Sequence, residues 1–239
     1  MARRRGARSL IRSALAGAAI VAGAGAGTLS APVQAEEPEA EGTYAVELIV
    51  FRQWEQGGRH AERWPSRVPP PRFPRWQVPD GCDAPAASAG GEVAMRCLPP
   101  QQRGLRSHWD RLSRAEAYQP LYHLAWRQPG LREDHAVAVP VPLYWRPDPE
   151  ALAPGAEASA PTARPPVYGL VRIYRERYLH VITDLRLQRV ATGQEPEAEE
   201  LLRAPEHRMT QHRRMRSGEL HYLDHPAIGV LVRITELED

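Results

Sequence analysis

There is no lysine among these 239 residues; all 31 basic side chains are arginine. That absence removes Schiff-base chemistry and any lysine general base. It also makes every fixed cation a planar guanidinium, able to hold a carboxylate or phosphate at two points. A genome rich in GC codons produces the same bias with no function behind it. Cysteine is nearly absent too, with only Cys82 and Cys97, and neither lies where a lipid anchor would need it. After residue 35 no apolar run is long enough to span a bilayer. No serine sits in a G-x-S-x-G frame (Ser217-Gly218 lacks it), no Cys–His pair stands out, and no glycine-rich phosphate loop is present. The acids in the ordered-looking strands and turns are Glu47, Asp184, Glu219 and Asp224, and nothing marks two of them as a glycosidase pair.

The N-terminus reads as an export signal. Arg3, Arg4, Arg5, Arg8 and Arg12 precede a Gly/Ala-rich apolar stretch, Ala14 to Leu29, and Val33-Gln34-Ala35 fits small-x-small cleavage. A membrane anchor is the competing reading, but the stretch is short and weakly apolar. The arginine pair leaves the export route, Sec or twin-arginine, open. This leader holds five of the 31 basic residues and no acid, so the remainder carries 26 basic against 29 acidic residues, a net of −3. The basicity of the full chain therefore belongs to the leader and does not argue for nucleic acid. A periplasmic product without a membrane span is expected. In that oxidising setting a Cys82–Cys97 disulfide is expected, worth roughly 3 kcal/mol for a loop of this size. A zinc site needs four ligands, and no histidine lies near these two cysteines in sequence.

About 204 residues remain, which fits a single domain, 44–239, behind an acidic leader at 36–43. Tyr44, Val46, Leu48 and Val50 alternate into a first strand. Residues 56–100 are proline- and glycine-rich and read as loop, with Trp54, Trp64 and Trp76 folded back onto the domain as packing or as an aromatic platform. Leu105, Trp109 and Leu112 recur at helical spacing, predicting an amphipathic helix over 105–117 that starts near Ser107. Leu121 to Arg127 is a second strand, and 146–166 is a second proline-rich insertion. Tyr168 to Tyr174 and Tyr178 to Leu187 predict a hairpin around Arg175-Glu176. An acidic loop, Gly193 to Glu200, precedes a strand near His207 to Arg214 and a last strand, Ile228 to Thr235. The fold class is α+β: a mainly antiparallel sheet of about six strands covered on one face by one helix.

The chemistry concentrates at the C-terminal end. Arg213, Arg214 and Arg216 lie within four residues and lead to a polar-aromatic turn, His221-Tyr222-Leu223-Asp224-His225-Pro226. Met209 and Met215 share one parity and face the core, which turns Arg208, Thr210, His212 and Arg214 to the other face. There they join Arg172, Tyr174, His180 and Arg186 of the hairpin as a polar sheet face, either a ligand surface or a solvated one. Candidate ligand-binding residues are Arg208, Arg213, Arg214, Arg216, Glu219, His221, Tyr222, Asp224, His225, Tyr174 and His180. An alternative reads His221-x-x-Asp224-His225 as a metal-hydrolase motif. Pro226 and Gly218 crowd it, no third ligand is evident, and a tight turn using His221 and Asp224 accounts for the same residues. No cofactor and no catalytic residue is assigned.

RRMRSGELHYLDHP followed by GVLVRIT resembles the closing segment of the CsiV family. YAVELIVFRQ (44–53), YQPLYHLAWRQPGL (118–131) and RYLHVITDLRL (177–187) resemble its opening strand, middle block and Tyr-Leu-His strand. Segments 54–104 and 146–166 match nothing obvious. The resemblance implies a non-enzymatic periplasmic protein that binds peptidoglycan. It would support cell-wall synthesis by a class A penicillin-binding protein, through that enzyme's outer-membrane lipoprotein activator. Peptidoglycan offers stem-peptide carboxylates, which suit arginine, and flat sugar faces, which suit aromatic rings.

The cysteine count generates the first prediction. Alkylation of the native protein without reductant should label no thiol, and one label per cysteine should appear only after reduction and unfolding.

Overall fold

A computed structural model describes residues 40–54, 73–147, 165–188 and 206–238. The leader 1–35, Trp64, the acidic loop and most of the insertion at 146–166 lie outside the described residues.

The first strand, β1 (Thr43–Gln53), is buried on both sides. Tyr44, Val46, Leu48 and Val50 enter one apolar cluster, while Ile49 and Phe51 enter another on the opposite side. A strand wrapped this way belongs in the middle of a sheet with a layer on each face. It pairs antiparallel with β5 (Tyr118–Pro129) on one edge and β11 (Ile228–Leu237) on the other. With β10 (Leu220–His225) and β4 (Arg96–Cys97) these make a five-stranded sheet in the order β10-β11-β1-β5-β4.

A second sheet has six strands: β2 (Trp76–Gln77), β3 (Ser88–Ala89), β6 (Ala138–Val141), β7 (Val167–Arg175), β8 (Leu179–Gln188) and β9 (Glu206–Met215). Their order is β3-β2-β6-β7-β8-β9, and only the β2–β6 contact is parallel. The expectation of one sheet of about six strands is therefore corrected to two sheets. Alternation shows that a strand has an apolar face but not which face it meets. Here Val46, Trp126, Val230 and Val232 of the first sheet share a core with Val171, Val181, Leu185, Met209 and Met215 of the second.

Short links close both sides of this sandwich. At one, the Gln211 side-chain amide of β9 donates to the Asp224 carbonyl of β10. At the other, the disulfide joins Cys82, just past β2, to Cys97 in β4, with Cα atoms 5.2 Å apart. Beside it the Asp80 amide donates to Met95 O at 2.9 Å and the Cys97 amide to Asp80 O at 2.8 Å. The proline-rich stretch is thus only partly loop, since three two-residue strands between Trp76 and Cys97 finish the edges of both sheets. Trp76 packs there as expected at 8% exposure, whereas Trp54 stays 41% exposed under the Arg52 guanidinium. Strand β6 (AVPV) has no counterpart in the sequence reading, because a proline argues against an interior strand. Its far edge meets β2 only at Trp76↔Ala138, so the donor that Pro140 lacks interrupts no continuous ladder.

The predicted hairpin forms with Arg175 opposite Leu179. The helix, α1 (Arg106–Arg114), is shorter than expected at its C-terminal end, and Ser107 lies inside it rather than capping it. The acceptor comes from another strand. Glu47 of β1 takes the Gly104 amide on Oε2 at 2.9 Å and the Leu105 amide on Oε1 at 2.6 Å. The same carboxylate takes His123 Nε2 at 2.7 Å and Arg233 at 3.1 Å. Leu105, Trp109 and Leu112 then close over Ile49, Phe51 and Leu231, the outer face of the first sheet.

Burial by itself pushes the Glu47 carboxyl up, but the hydrogen bonds from His123, Leu105 and Gly104 outweigh it and hold it below the usual carboxylate value. A carboxylate lowered in the folded state adds stability above its unfolded pKa and loses it as pH falls through the folded one. Glu47→Ala should cost about 3–5 kcal/mol in a urea melt at neutral pH, since it leaves Arg233 and the helix amides unpaired. Glu47→Gln should flatten part of the acid-side loss of stability.

Candidate functional site

Most of the candidate residues divide between the outer faces of the two sheets, while His221 and His225 lie on the inner side of theirs. On the second sheet, register sets Tyr174, His180 and Arg214 in one row, Arg172, Ile182 and His212 in the next, and Asp184 with Thr210 in a third. The shared polar face read from parity is therefore real. The Tyr174 and His180 rings stack at 4.6 Å with an interplanar angle of 7°. His180 Nδ1 lies 2.9 Å from His212 Nε2, and Tyr174 Oη lies 3.1 Å from the same nitrogen. Burial holds the His180 imidazole below its usual pKa; His212 and Arg214 push the same way, against Glu133 and Glu176. Arg172 pairs with Glu133 at 2.6 Å and packs over the rings of Phe73 and Tyr174.

Farther along that face the polar row is internal rather than ligand-facing. Arg186 is 1% exposed and Asp184 4%, and they pair at 3.0 Å. Arg208 completes the set with a two-point grip on Asp184, Nε to Oδ1 at 2.8 Å and Nη2 to Oδ2 at 3.1 Å. The Asp184 hydrogen bond raises the Arg208 pKa, while burial lowers that of Arg186. Arg208 thus spends its fork inside the protein.

Arg213, Arg214 and Arg216 are exposed at the other end of β9. Across the hairpin tip the exposed Arg177 joins them, with the Arg177 and Arg214 guanidiniums 5.6 and 4.6 Å from the Tyr178 ring centroid. Two guanidiniums thus lie against one aromatic ring, with the exposed Arg213 and Arg216 adjacent in sequence, a geometry suited to carboxylates or phosphates. Glu219 borders it, receiving the Arg216 amide at 3.4 Å and His221 Nε2 at 3.1 Å.

The His221–Pro226 segment is not a turn. Leu220–His225 is strand β10, and the reversal falls on Pro226-Ala227. In a strand, alternate side chains oppose one another. His221 and His225 share the inner side with the core residue Leu223, and Asp224 points outward with Tyr222. Two histidines four strand residues apart are about 13 Å apart at their Cα atoms, with the carboxylate on the opposite face. The metal-hydrolase alternative fails on that geometry, and no group of three metal-binding side chains occurs among the described residues. The His225 ring accepts the Ala227 amide at 3.2 Å and sits 6.1 Å edge-on from His207.

Tyr222 and Asp224 instead join residues that the sequence reading did not single out. Gln53 Nε2 donates to Tyr222 Oη at 2.9 Å, Asp224 Oδ1 at 2.9 Å and the His225 carbonyl at 2.8 Å, and Tyr222 Oη donates to Asp224 Oδ1 at 2.6 Å. Those bonds from Tyr222 and Gln53 hold the Asp224 carboxyl below its usual value. Phe51 stacks on Tyr222 at 6.1 Å and meets Tyr118 edge-on at 5.4 Å. The signal for this cluster was Gly229, which register sets opposite Phe51. A Cβ there would come within 2.1 Å of the Phe51 ring.

A family model for CsiV, described as a peptidoglycan-binding protein, matches residues 18–237. The chain belongs to the CsiV family. The match runs through both proline-rich insertions, which the four quoted blocks do not cover. No curated protein and no solved structure matches the chain.

The two arginine groups should respond differently to truncation. Arg208→Ala should lower stability by about 1.5–3 kcal/mol in urea while leaving sacculus binding intact, because its hydrogen bonds go to a buried carboxylate. Asp184→Asn should cost more, about 3–5 kcal/mol, because it removes the buried charge to which both Arg186 and Arg208 are bonded.

Proposed function

We propose that this CsiV-family chain is a non-enzymatic periplasmic accessory protein whose exposed arginines hold peptidoglycan stem-peptide carboxylates. It consists of one domain, 44–239, behind a leader cleaved near Ala35. The observation that carries this reading is the contrast within one strand. Arg208 is held by Asp184, whereas Arg213, Arg214 and Arg216 are exposed, with Arg214 and Arg177 against the Tyr178 ring. Exposed guanidiniums held against an aromatic ring are partly ordered before a ligand arrives, which lowers the entropy lost on binding. The disulfide and the arginine-rich, small-residue leader support an oxidising compartment outside the cytoplasm. By family likeness the partners are a class A penicillin-binding protein and its outer-membrane lipoprotein activator, with sacculus binding placing the protein where that synthase works.

Co-sedimentation with purified sacculi at low salt tests the reading. The protein should pellet, and retention should fall as salt rises, because the contacts are charged. Arg214→Ala and Arg216→Ala should each leave the melting temperature nearly unchanged, an exposed arginine contributing less than about 1 kcal/mol. Each should weaken retention by about 1.5–3 kcal/mol, the scale of a charged hydrogen-bonded contact. A protein that stays in the supernatant, or a parallel collapse of stability and binding, overturns the assignment.

A further inference from the structure

The outer face of the five-stranded sheet carries a second cluster that the arginine reading does not use. Tyr118 is 37% exposed and Tyr222 44%, among the few large apolar side chains open to solvent within the described residues. They are not loose. Both pack on the buried Phe51 ring, one edge-on and one stacked, and the bare Cα of Gly229 leaves the space that ring fills. The Tyr222 hydroxyl is fixed between Gln53 and Asp224. The Asp224 carboxylate is exposed, and its side-chain donors Gln53 and Tyr222 converge on Oδ1, which leaves it lone pairs to accept from a ligand.

We propose that Tyr118, Phe51 and Tyr222, with Gln53 and Asp224 beside them, form a saccharide platform that takes a neutral sugar ring of a glycan strand. The proposal deepens the peptidoglycan-binding reading and rests on it. Aromatic faces match the apolar C–H faces of a pyranose, and a carboxylate oxygen with open lone pairs accepts from its hydroxyls. Charge decides between the two halves of peptidoglycan. These five side chains carry one formal charge, and it is negative, so a stem-peptide carboxylate is repelled while a hydroxyl-rich neutral ring is not. The arginine cluster has the opposite preference. Because ring positions and the Tyr222 hydroxyl are already set, little side-chain freedom is lost on binding.

The test uses the purified protein with two probes: intact sacculi, and, as stripped strands, neutral N-acetylglucosamine oligomers, which carry neither stem peptides nor the lactyl carboxylate that amidase cleavage would leave. Wild type should bind both. The double variant Tyr118→Ala/Tyr222→Ala should bind stripped strands about tenfold more weakly or worse, whereas Tyr144→Ala, at another exposed ring, binds them like wild type. Asp224→Asn changes an exposed side chain by one atom and should weaken the same binding several-fold, which keeps the test valid if the double variant fails to fold. Wild type that binds sacculi but not stripped strands overturns the platform and leaves the peptidoglycan reading standing. Wild type that binds neither overturns both. A well-folded tyrosine variant that keeps full affinity for stripped strands, including one that loses only a protein partner, overturns the platform.

Discussion

One carboxylate, Glu47, organises the layer on which the exposed aromatics depend. It lies in β1, neutralises Arg233 of β11, receives His123 of β5 and accepts the amides that lead into α1. A buried charge is tolerated only when its partners are complete, so three strands and a helix are placed by one requirement. Gly104 follows from the same requirement, since a Cβ there would fall 2.0 Å from Arg233 Nη2. With the helix docked, Leu105 seals Ile49 and Phe51 from water, and Phe51 backs the two tyrosines.

Asp184 plays the corresponding part in the second sheet, and its reach divides that face. Arg186 and Arg208 are drawn to it, while the end near the hairpin tip, two rows away, keeps its arginines in solvent. From the Arg214 row toward Asp184 runs the Tyr174–His180–His212 cluster, bounded by Arg172 and Glu133. One strand thus carries both a structural arginine and free cations, and the position of a single acid on the neighbouring strand separates them.

Period-two patterning exposed the long strands, the hairpin and the face on which Arg172, Tyr174, His180, His212 and Arg214 meet, because alternation is a local property. What escaped the sequence reading was set by distant partners. Ser107 is a good cap by type, yet the acceptor is supplied by Glu47, 58 residues before Leu105. Arg186 reads as part of a polar sheet face, yet it is buried and paired with Asp184. The two-residue strands near Trp76, Ser88 and Arg96 have no pattern of their own and exist because sheet edges and a disulfide hold them. The His221-x-x-Asp224-His225 spacing has meaning only on a helix, and β10 pairing with β11 makes it a strand.

The pairing of β1 with β11, from Thr43↔Leu237 to Arg52↔Ile228, links the first strand of the domain to the last. Since β11 lies between β10 and β1 rather than at a border, loss of the final ten residues would split the sheet instead of trimming it. Assembly inherits that order. A chain emerging N-terminus first can pair β1 with β5 early, but Glu47 waits for Arg233 and the inner face of β1 for Val230, Val232 and Ile234. The domain therefore cannot close its core until nearly its whole length is available, and it locks only when the last strand arrives.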